Sequence, residues 1–255
     1  MSQNLRTTFS GRACLEEKGD SYEPDRQIIS LLSHELRTPL SIISSNIQLL
    51  KEFEYKLNSK VVNETFLLCE EAIGSMTSFM EDIYFLNVSN KGELKKTPSL
   101  MNLKEFFRIF LNDLSNTDFI NADRVHFEEN FLTETFCTDT TLLKRILKSL
   151  ISNALRFSSE IVILNVTCSE KELEIQIEDQ GIGIPEDEID DVFHPFYRGK
   201  NARLISGCGL GLAIVQRSMD LLNGKIEVIS MINQGTKFKI KIINDECKKN
   251  IDYRG

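Results

Sequence analysis

Four groups of residues in this chain combine side-chain types that could do chemistry together. The first is His34, within Ser33-His34-Glu35-Leu36-Arg37-Thr38-Pro39-Leu40. An imidazole beside a carboxylate is a potential nucleophile, because the carboxylate can keep one ring nitrogen protonated and leave the other free to attack. The second is Asn153 with Arg156 and Phe157, in Ser152-Asn153-Ala154-Leu155-Arg156-Phe157. Asn153 offers an uncharged oxygen to a metal ion, and Arg156 a cation one turn away that suits phosphates. The third is Asp179 with Gly181 and Gly183, directly after a strand-like run. A carboxylate there can accept from an exocyclic amine, and the glycines let the backbone approach a planar base. The fourth is Gly207-Cys208-Gly209-Leu210-Gly211, a glycine loop opening a helix, where free N–H groups and the helix dipole would receive a phosphate chain. Taken singly, each has an ordinary reading too: a surface histidine, a polar helix face, an Asp-Gly turn, a tightly packed glycine loop.

The elements that must carry these groups follow from hydrophobic periodicity. A helical pattern runs from about 25 to Phe53, and its stripe of Ile29, Leu32, Leu36, Ile43, Ile47 and Leu50 turns His34 outward with Thr38 on the same face. Pro39 removes a backbone donor, so a kink is expected one turn after His34. Polar residues near 54–62 read as a hairpin connection. A second helix then shows Thr65, Cys69, Ala72, Met76, Phe79, Ile83 and Leu86 at alternating spacings of four and three, a coiled-coil seam. Two such helices bury only part of their apolar surface, and pairing with a second copy into a four-helix bundle would hide the rest.

Asn90–Leu100, with Gly92, Pro98 and several lysines, marks a boundary. Beyond it the pattern gives a helix over Leu103–Leu114 and short strands near Val125–Phe127 and Thr135–Cys137. A helix capped near Asp139 runs to Phe157, followed by strands Ile161–Cys168 and Leu173–Glu178. A helix over Gly209–Leu222 and strands Lys225–Ser230 and Thr236–Ile243 complete the pattern. Such a mixture fits one layer of helices on an antiparallel-rich sheet. The glycine loop at 207–211 follows no strand directly, which separates it from a dinucleotide-binding fingerprint. Residues 1–22 show no sustained period and read as a flexible lead-in, and 248–255 as a tail.

Composition narrows the classes. The net charge of −8 argues against nucleic acid as the main partner, since phosphate binding wants a basic footprint. No apolar run approaches the 18 residues of a membrane span, and the first twenty residues lack the apolar core of a secretory signal. The six cysteines form no CxxC pair, so reduced thiols in a cytoplasmic protein are expected rather than a metal or disulfide framework.

The octet around His34 resembles the H-box of sensor histidine kinases. The later clusters, in their order, resemble the ATP-binding domain of the histidine kinase branch of the GHKL superfamily. Asn153 matches its asparagine box, Asp179–Gly183 its first glycine box, Phe193–Arg198 its phenylalanine box, and Gly207–Gly211 its second glycine box. The likeness implies an α+β chain. A helical hairpin over 23–92 would form a dimeric four-helix bundle, followed over 93–247 by an α/β two-layer sandwich that binds ATP. It further implies that Asn153 helps hold magnesium, that Asp179 reads the adenine amine, and that Arg156 meets the phosphates while Phe157 lines the adenine pocket. A lid over 198–206 would bring Arg198, Lys200 and Arg203 to the phosphates, beside Gly181, Gly183, Gly207, Gly209, Leu210 and Gly211. His34 would take the γ-phosphoryl group, with Glu35 as base or orienter and Arg37 balancing charge. An aspartate on a response regulator's receiver domain would then accept it. Thr38 matches the position that orients water for regulator dephosphorylation.

Three departures stand out. Ser149 occupies the place of a second asparagine, Cys208 that of a threonine, and Phe157 that of a common tyrosine. Ser149 motivates a second reading, a degenerate kinase serving as a dimeric scaffold or as a phosphatase only. No sensor domain fits into 1–22, so input is expected from a partner or a missing segment.

Overall fold

The structure, a computed structural model, describes residues 7–10, 23–53, 58–115, 122–205, 207–245 and 247. It divides into two compact units, Leu15–Lys91 and the remainder, and Gly92 at the start of the latter takes a positive φ of 69°.

Helix α1 (Glu23–Glu52) continues through Pro39. Helix α2 (Ser59–Asn90) begins at Asn58, whose side-chain oxygen accepts from the Val61 N–H at 2.9 Å and so satisfies an orphan donor of the first turn. The two helices pack along each other. On α2, Thr65, Ala72 and Leu86 are buried and Cys69, Met76, Phe79 and Ile83 half-buried, along the expected seam. Much apolar surface stays uncovered: Ile29, Leu40 and Ile47 on α1, and Phe66, Leu67, Ile73, Met80 and Tyr84 on α2, are exposed. Part of the expected connection, residues 54–57, lies outside the described residues.

The second unit contains β1 (Thr7–Ser10), β2 (Ser99–Asn102), α3 (Leu103–Ser115), β3 (Val125–Phe131), β4 (Thr135–Thr138) and α4 (Thr140–Phe157). It continues with β5 (Val162–Cys168), β6 (Glu172–Asp179), α5 (Gly211–Leu222), β7 (Lys225–Met231) and β8 (Gly235–Ile243). The main sheet has the order β1-β7-β8-β6-β5-β3, with β3 and β5 parallel and every other neighbouring pair antiparallel. Strands β2 and β4 form a separate antiparallel pair.

Alternation decides which sheet face is covered. On β6, Leu173, Ile175, Ile177 and Asp179 are buried, while Glu172, Glu174 and Glu178 on the other face meet lysines of β8. Lys237 lies 2.5 Å from Glu178, Lys239 2.9 Å from Glu174, and Lys241 3.1 Å from Glu174. Cross-strand pairs of this kind favour the observed register. Helix α4 packs on β5 and β6, α5 on β7 and β8, and the two helices on one another. From α4, Leu143, Ile146, Leu147, Leu150 and Ile151 are fully buried, the stripe of an amphipathic helix on a sheet. Phe107 of α3 stacks on Phe127 and Phe131 of β3, with centroids 5.4 and 6.0 Å apart.

Two expectations are corrected. Thr7–Ser10 is an edge strand paired with β7 and not a flexible lead-in. Four residues are too few to display a period, and an edge strand can be held through its backbone with no side-chain pattern. Cys137 and Cys247 are disulfide-bonded, where only reduced thiols were expected. Their 110-residue separation lacks any local spacing that would reveal the pair. The tail over 248–255 lies outside the described residues.

Candidate active site

In the helical unit, the His34 side chain is 71% exposed, and its Nδ1 faces Glu35 Oε1 at 3.6 Å. That separation is beyond a hydrogen bond but places the carboxylate on the Nδ1 side, leaving Nε2 as the outward nitrogen. Arg37 and Thr38 are exposed on the same helix. The Thr38 hydroxyl donates to the His34 carbonyl at 3.3 Å, the back-bond open to a threonine within a helix.

In the second unit, the sheet and α4 bring the other groups together. Asp179 continues the buried row of β6 past Ile177, which puts a carboxyl on the helix-covered face. Its Oδ1 accepts from the Gly181 N–H at 2.8 Å. Burial pushes the carboxyl above its ordinary range, and the N–H groups of Gly181 and Thr236 draw it part of the way back. The next turn folds against the end of α4, with the Ile182 N–H donating to the Phe157 carbonyl at 3.2 Å. A side chain at Gly181 would overlap that carbonyl, and one at Gly183, whose φ is 67°, would overlap the carbonyl of Met231. Both glycines are therefore required by close approach.

The glycine loop closes on the same helix. A Cβ built on Gly207 would stand 2.7 Å from Arg156 Nη1, and one on Gly211 would stand 2.8 Å from Ser149 Oγ and 3.4 Å from Asn153 Nδ2. Gly209, with φ 73°, lies against the backbone of Phe196 and Tyr197, and its carbonyl accepts from the Phe196 N–H at 2.9 Å. Leu210 is buried at the start of α5. Asn153, Arg156, Phe157, Asp179 and the loop glycines thus gather around one end of α4. Among the described residues, Ser149 Oγ is buried without a hydrogen bond. An unsatisfied hydroxyl beside Asn153, a cradle that side chains would fill, and a buried carboxyl all fit a nucleotide with its metal.

The lid segment is less free than expected. Arg198 Nη2 donates to the carbonyls of Ala202, Arg203 and Ile205 at 3.2, 3.0 and 2.5 Å. Lys200 Nζ lies 3.2 Å from Asp187 and 3.5 Å from Glu188, contacts that raise its pKa. Both cations therefore shape the lid, while Arg203 is exposed.

Two residues of the site escape sequence reading. Arg124 donates to the carbonyls of Leu155, Ser158 and Glu160 at 3.2, 2.6 and 2.7 Å, tying down the end of α4 beside Arg156 and Phe157. Its partners lie 31–36 residues downstream, so no local pattern marks it. Glu188, 2% exposed, accepts from the Lys200 backbone N–H at 3.1 Å and anchors the lid. In sequence it belongs to the acidic run Glu186-Asp187-Glu188, which reads as a solvated stretch.

Two family models match. The His Kinase A (phospho-acceptor) domain covers residues 25–87, and the histidine kinase-, DNA gyrase B- and HSP90-like ATPase covers 138–245. The signal transduction histidine-protein kinase ArlS of Staphylococcus aureus is 29% identical over 247 residues, which is 93% of this chain and 52% of ArlS. The chain thus spans about half the length of the curated relatives it matches. In fold it is similar to the Acinetobacter baumannii histidine kinase AdeS, with TM-score 0.60, 24% identity, and coverage of 83% of this chain and 98% of that one. The full-length ShkA solved with AMPPNP is a second likeness, at TM-score 0.59 and 21% identity over 87% of this chain and 47% of that one. Among the described residues of this chain, no helix is long and apolar enough to cross a membrane.

Proposed function

The chain belongs to the sensor histidine kinases, and from that premise we propose that it phosphorylates His34 with ATP and passes the group to an aspartate of a response regulator. Nε2 of His34 attacks the γ-phosphorus, an N–P bond forms, and the bond to the β-phosphate oxygen breaks with its electron pair leaving on ADP. The proton on Nδ1 stays on the side of Glu35, whose carboxylate eases the positive charge that the ring gains. Catalysis then rests on positioning and on neutralising spreading charge, as in other phosphoryl transfers. Magnesium, when bound, supplies that neutralisation, with Asn153 among its holders. Asp179 accepts from the adenine amine, Phe157 lines the base, and Arg156 meets the phosphates together with the N–H groups of the loop at 207–211. Among the described residues, Arg203 is the lid cation with no side-chain partner; Arg198 and Lys200 hold the lid's shape and reach the phosphates only by exchanging their present partners.

One observation carries this reading: Asn153, Arg156, Phe157, Asp179 and the loop glycines surround the same end of α4. The exposed apolar residues of α1 and α2 support a homodimer in which two hairpins form the bundle. Residues 23–92 would be the dimerisation and phosphotransfer domain, 93–247 the catalytic domain, and the site of action cytoplasmic. Incubation with γ-labelled ATP and magnesium tests the reading. Acid-labile, base-stable label on the protein is expected. Release of free phosphate alone would indicate an ATPase, and neither product would favour the dimeric scaffold that the Ser149 departure allows.

A further inference from the structure

Outside the nucleotide pocket, the second unit holds a covalent feature that the phosphotransfer chemistry does not use. Cys137, on β4 and 2% exposed, is bonded to the half-exposed Cys247, with Cα atoms 5.8 Å apart. The Cys137 backbone is also tied, by hydrogen bonds that do not depend on sulfur, to Asn244 and Asp245 just before Cys247. The Cys137 N–H donates to Asn244 Oδ1 at 2.9 Å, and the Asp245 N–H donates to the Cys137 carbonyl at 2.9 Å. Asn244 is further fixed on the β5–β6 turn through the Lys171 carbonyl at 2.8 Å, and Asp245 is paired with Lys96 at 2.5 Å.

We propose that Cys137 and Cys247 form a reversible redox site that fastens the segment after β8 onto β4, with low-molecular-weight thiols and disulfides as its substrates. Three features favour a reversible pair over a permanent staple. The hydrogen bonds keep the two thiols adjacent after reduction, so re-formation needs little reordering. Cys247 is the less buried partner, which favours attack of an incoming thiolate at its sulfur and makes Cys137 the leaving group. The unit already has an extensive apolar core, so it lacks the small-domain need for a covalent brace. The reaction balances as thiol–disulfide exchange. In oxidation, the Cys247 thiolate attacks glutathione disulfide and expels one glutathione thiolate. The Cys137 thiolate then attacks the Cys247 sulfur and expels the second, so two protein thiols lose two electrons and one glutathione disulfide becomes two thiols. Cys168 stays apart from this exchange, since burial pushes its thiol up to about 11.

The fastened strand leads directly into the site-bearing helix. Asp139, two residues after Cys137, caps α4 through the Thr141 and Leu142 N–H groups at 3.0 and 3.1 Å and accepts from Thr97 at 2.8 Å. Oxidation therefore braces the segment after β8, β4 and the start of α4 as one body. The full chain, equilibrated across glutathione redox ratios, acid-quenched and alkylated, provides the test when its peptides are read by mass spectrometry beside thermal scans. Cys137 and Cys247 should lose alkylation together with one shared midpoint, and oxidation should raise the Tm of this unit by about 5–10 °C. Cys247→Ser should abolish the Tm response while keeping the Tm of the reduced wild type. Independent alkylation of the two, protection shifting to other cysteines, a bond that persists at every ratio, or a redox-dependent Tm in Cys247→Ser would each overturn the proposal.

Discussion

Gly211 opens α5 directly against Ser149, so close that a Cβ on the glycine would stand 2.8 Å from the serine Oγ. That hydroxyl is buried and makes no hydrogen bond among the described residues. The family that the glycine boxes resemble usually carries a second asparagine at this place. Ser149→Asn should add one polar contact near Asn153 and lower the magnesium concentration that half-saturates ATP binding by about fivefold, the worth of roughly 1 kcal/mol. Ser149→Ala removes a group that lacks a partner and should leave binding within about twofold. Calorimetric magnesium titrations separate the two, and a large loss in Ser149→Ala would mean that the serine already serves the metal.

Asp179→Asn should separate affinity from stability. The substitution keeps an oxygen for the Gly181 N–H but presents donors toward an adenine amine, a mismatch of about 1–3 kcal/mol that lowers ATP affinity about 5- to 150-fold. Because burial raises the Asp179 carboxyl, its protonated form stabilises the fold at acidic pH, and that contribution is lost as pH rises through the raised value. The neutral asparagine has no such loss. The Tm of Asp179→Asn should equal or exceed that of the wild type at pH 7, with the advantage shrinking toward acid. A variant that loses stability at pH 7 while binding ATP normally would reduce Asp179 to a turn residue.

Arg124→Ala should act on the pocket from outside it. Loss of a fork bonded to three carbonyls costs about 1.5–3 kcal/mol, or a Tm fall of about 3–10 °C in a unit of this size. The end of α4 that positions Phe157 against Ile182 would loosen, so ATP affinity should fall as well. Arg124→Lys restores the charge but not the fork and should recover only part of the Tm. Scanning calorimetry with and without ATP reads both effects.

Most of this architecture is legible in the sequence because it rests on local pattern. The seam of α2, the capped stripe of α4 and the alternation of β5, β6 and β8 each follow from which side chains face a core. Asp179 and the glycines are visible for the same reason: a strand end and a tight approach demand particular residue types. What escaped depends on partners far along the chain. Arg124 meets carbonyls more than thirty residues away, Cys137 and Cys247 are 110 apart, and β1 joins its sheet through four backbone pairs. The charges of the 198–206 segment are legible, but the partners that now engage them are not. Arg198 and Lys200 have the charge for phosphates, but neighbouring carbonyls and carboxylates already engage them.

Thr38→Ala should distinguish phosphatase from kinase chemistry. The hydroxyl now donates to the His34 carbonyl at 3.3 Å, a weak bond that a water-positioning role would have to replace. Alanine favours the helix, so the hairpin should remain stable. If Thr38 orients the attacking water, regulator dephosphorylation should slow by up to about a hundredfold while autophosphorylation changes little. Dephosphorylation at the wild-type rate would limit Thr38 to its helix back-bond.

Phosphorylation of His34 is tested by comparing the wild-type chain with His34→Gln, each incubated with γ-labelled ATP and magnesium, with ATP binding measured in parallel. His34 is exposed and lies in the unit apart from the nucleotide pocket, so its replacement should leave ATP affinity unchanged. Acid-labile label is expected on the wild type, mapping to the peptide that contains His34, and none on the variant. Label retained by His34→Gln, or a wild type that binds ATP and magnesium yet takes up no label, would contradict it.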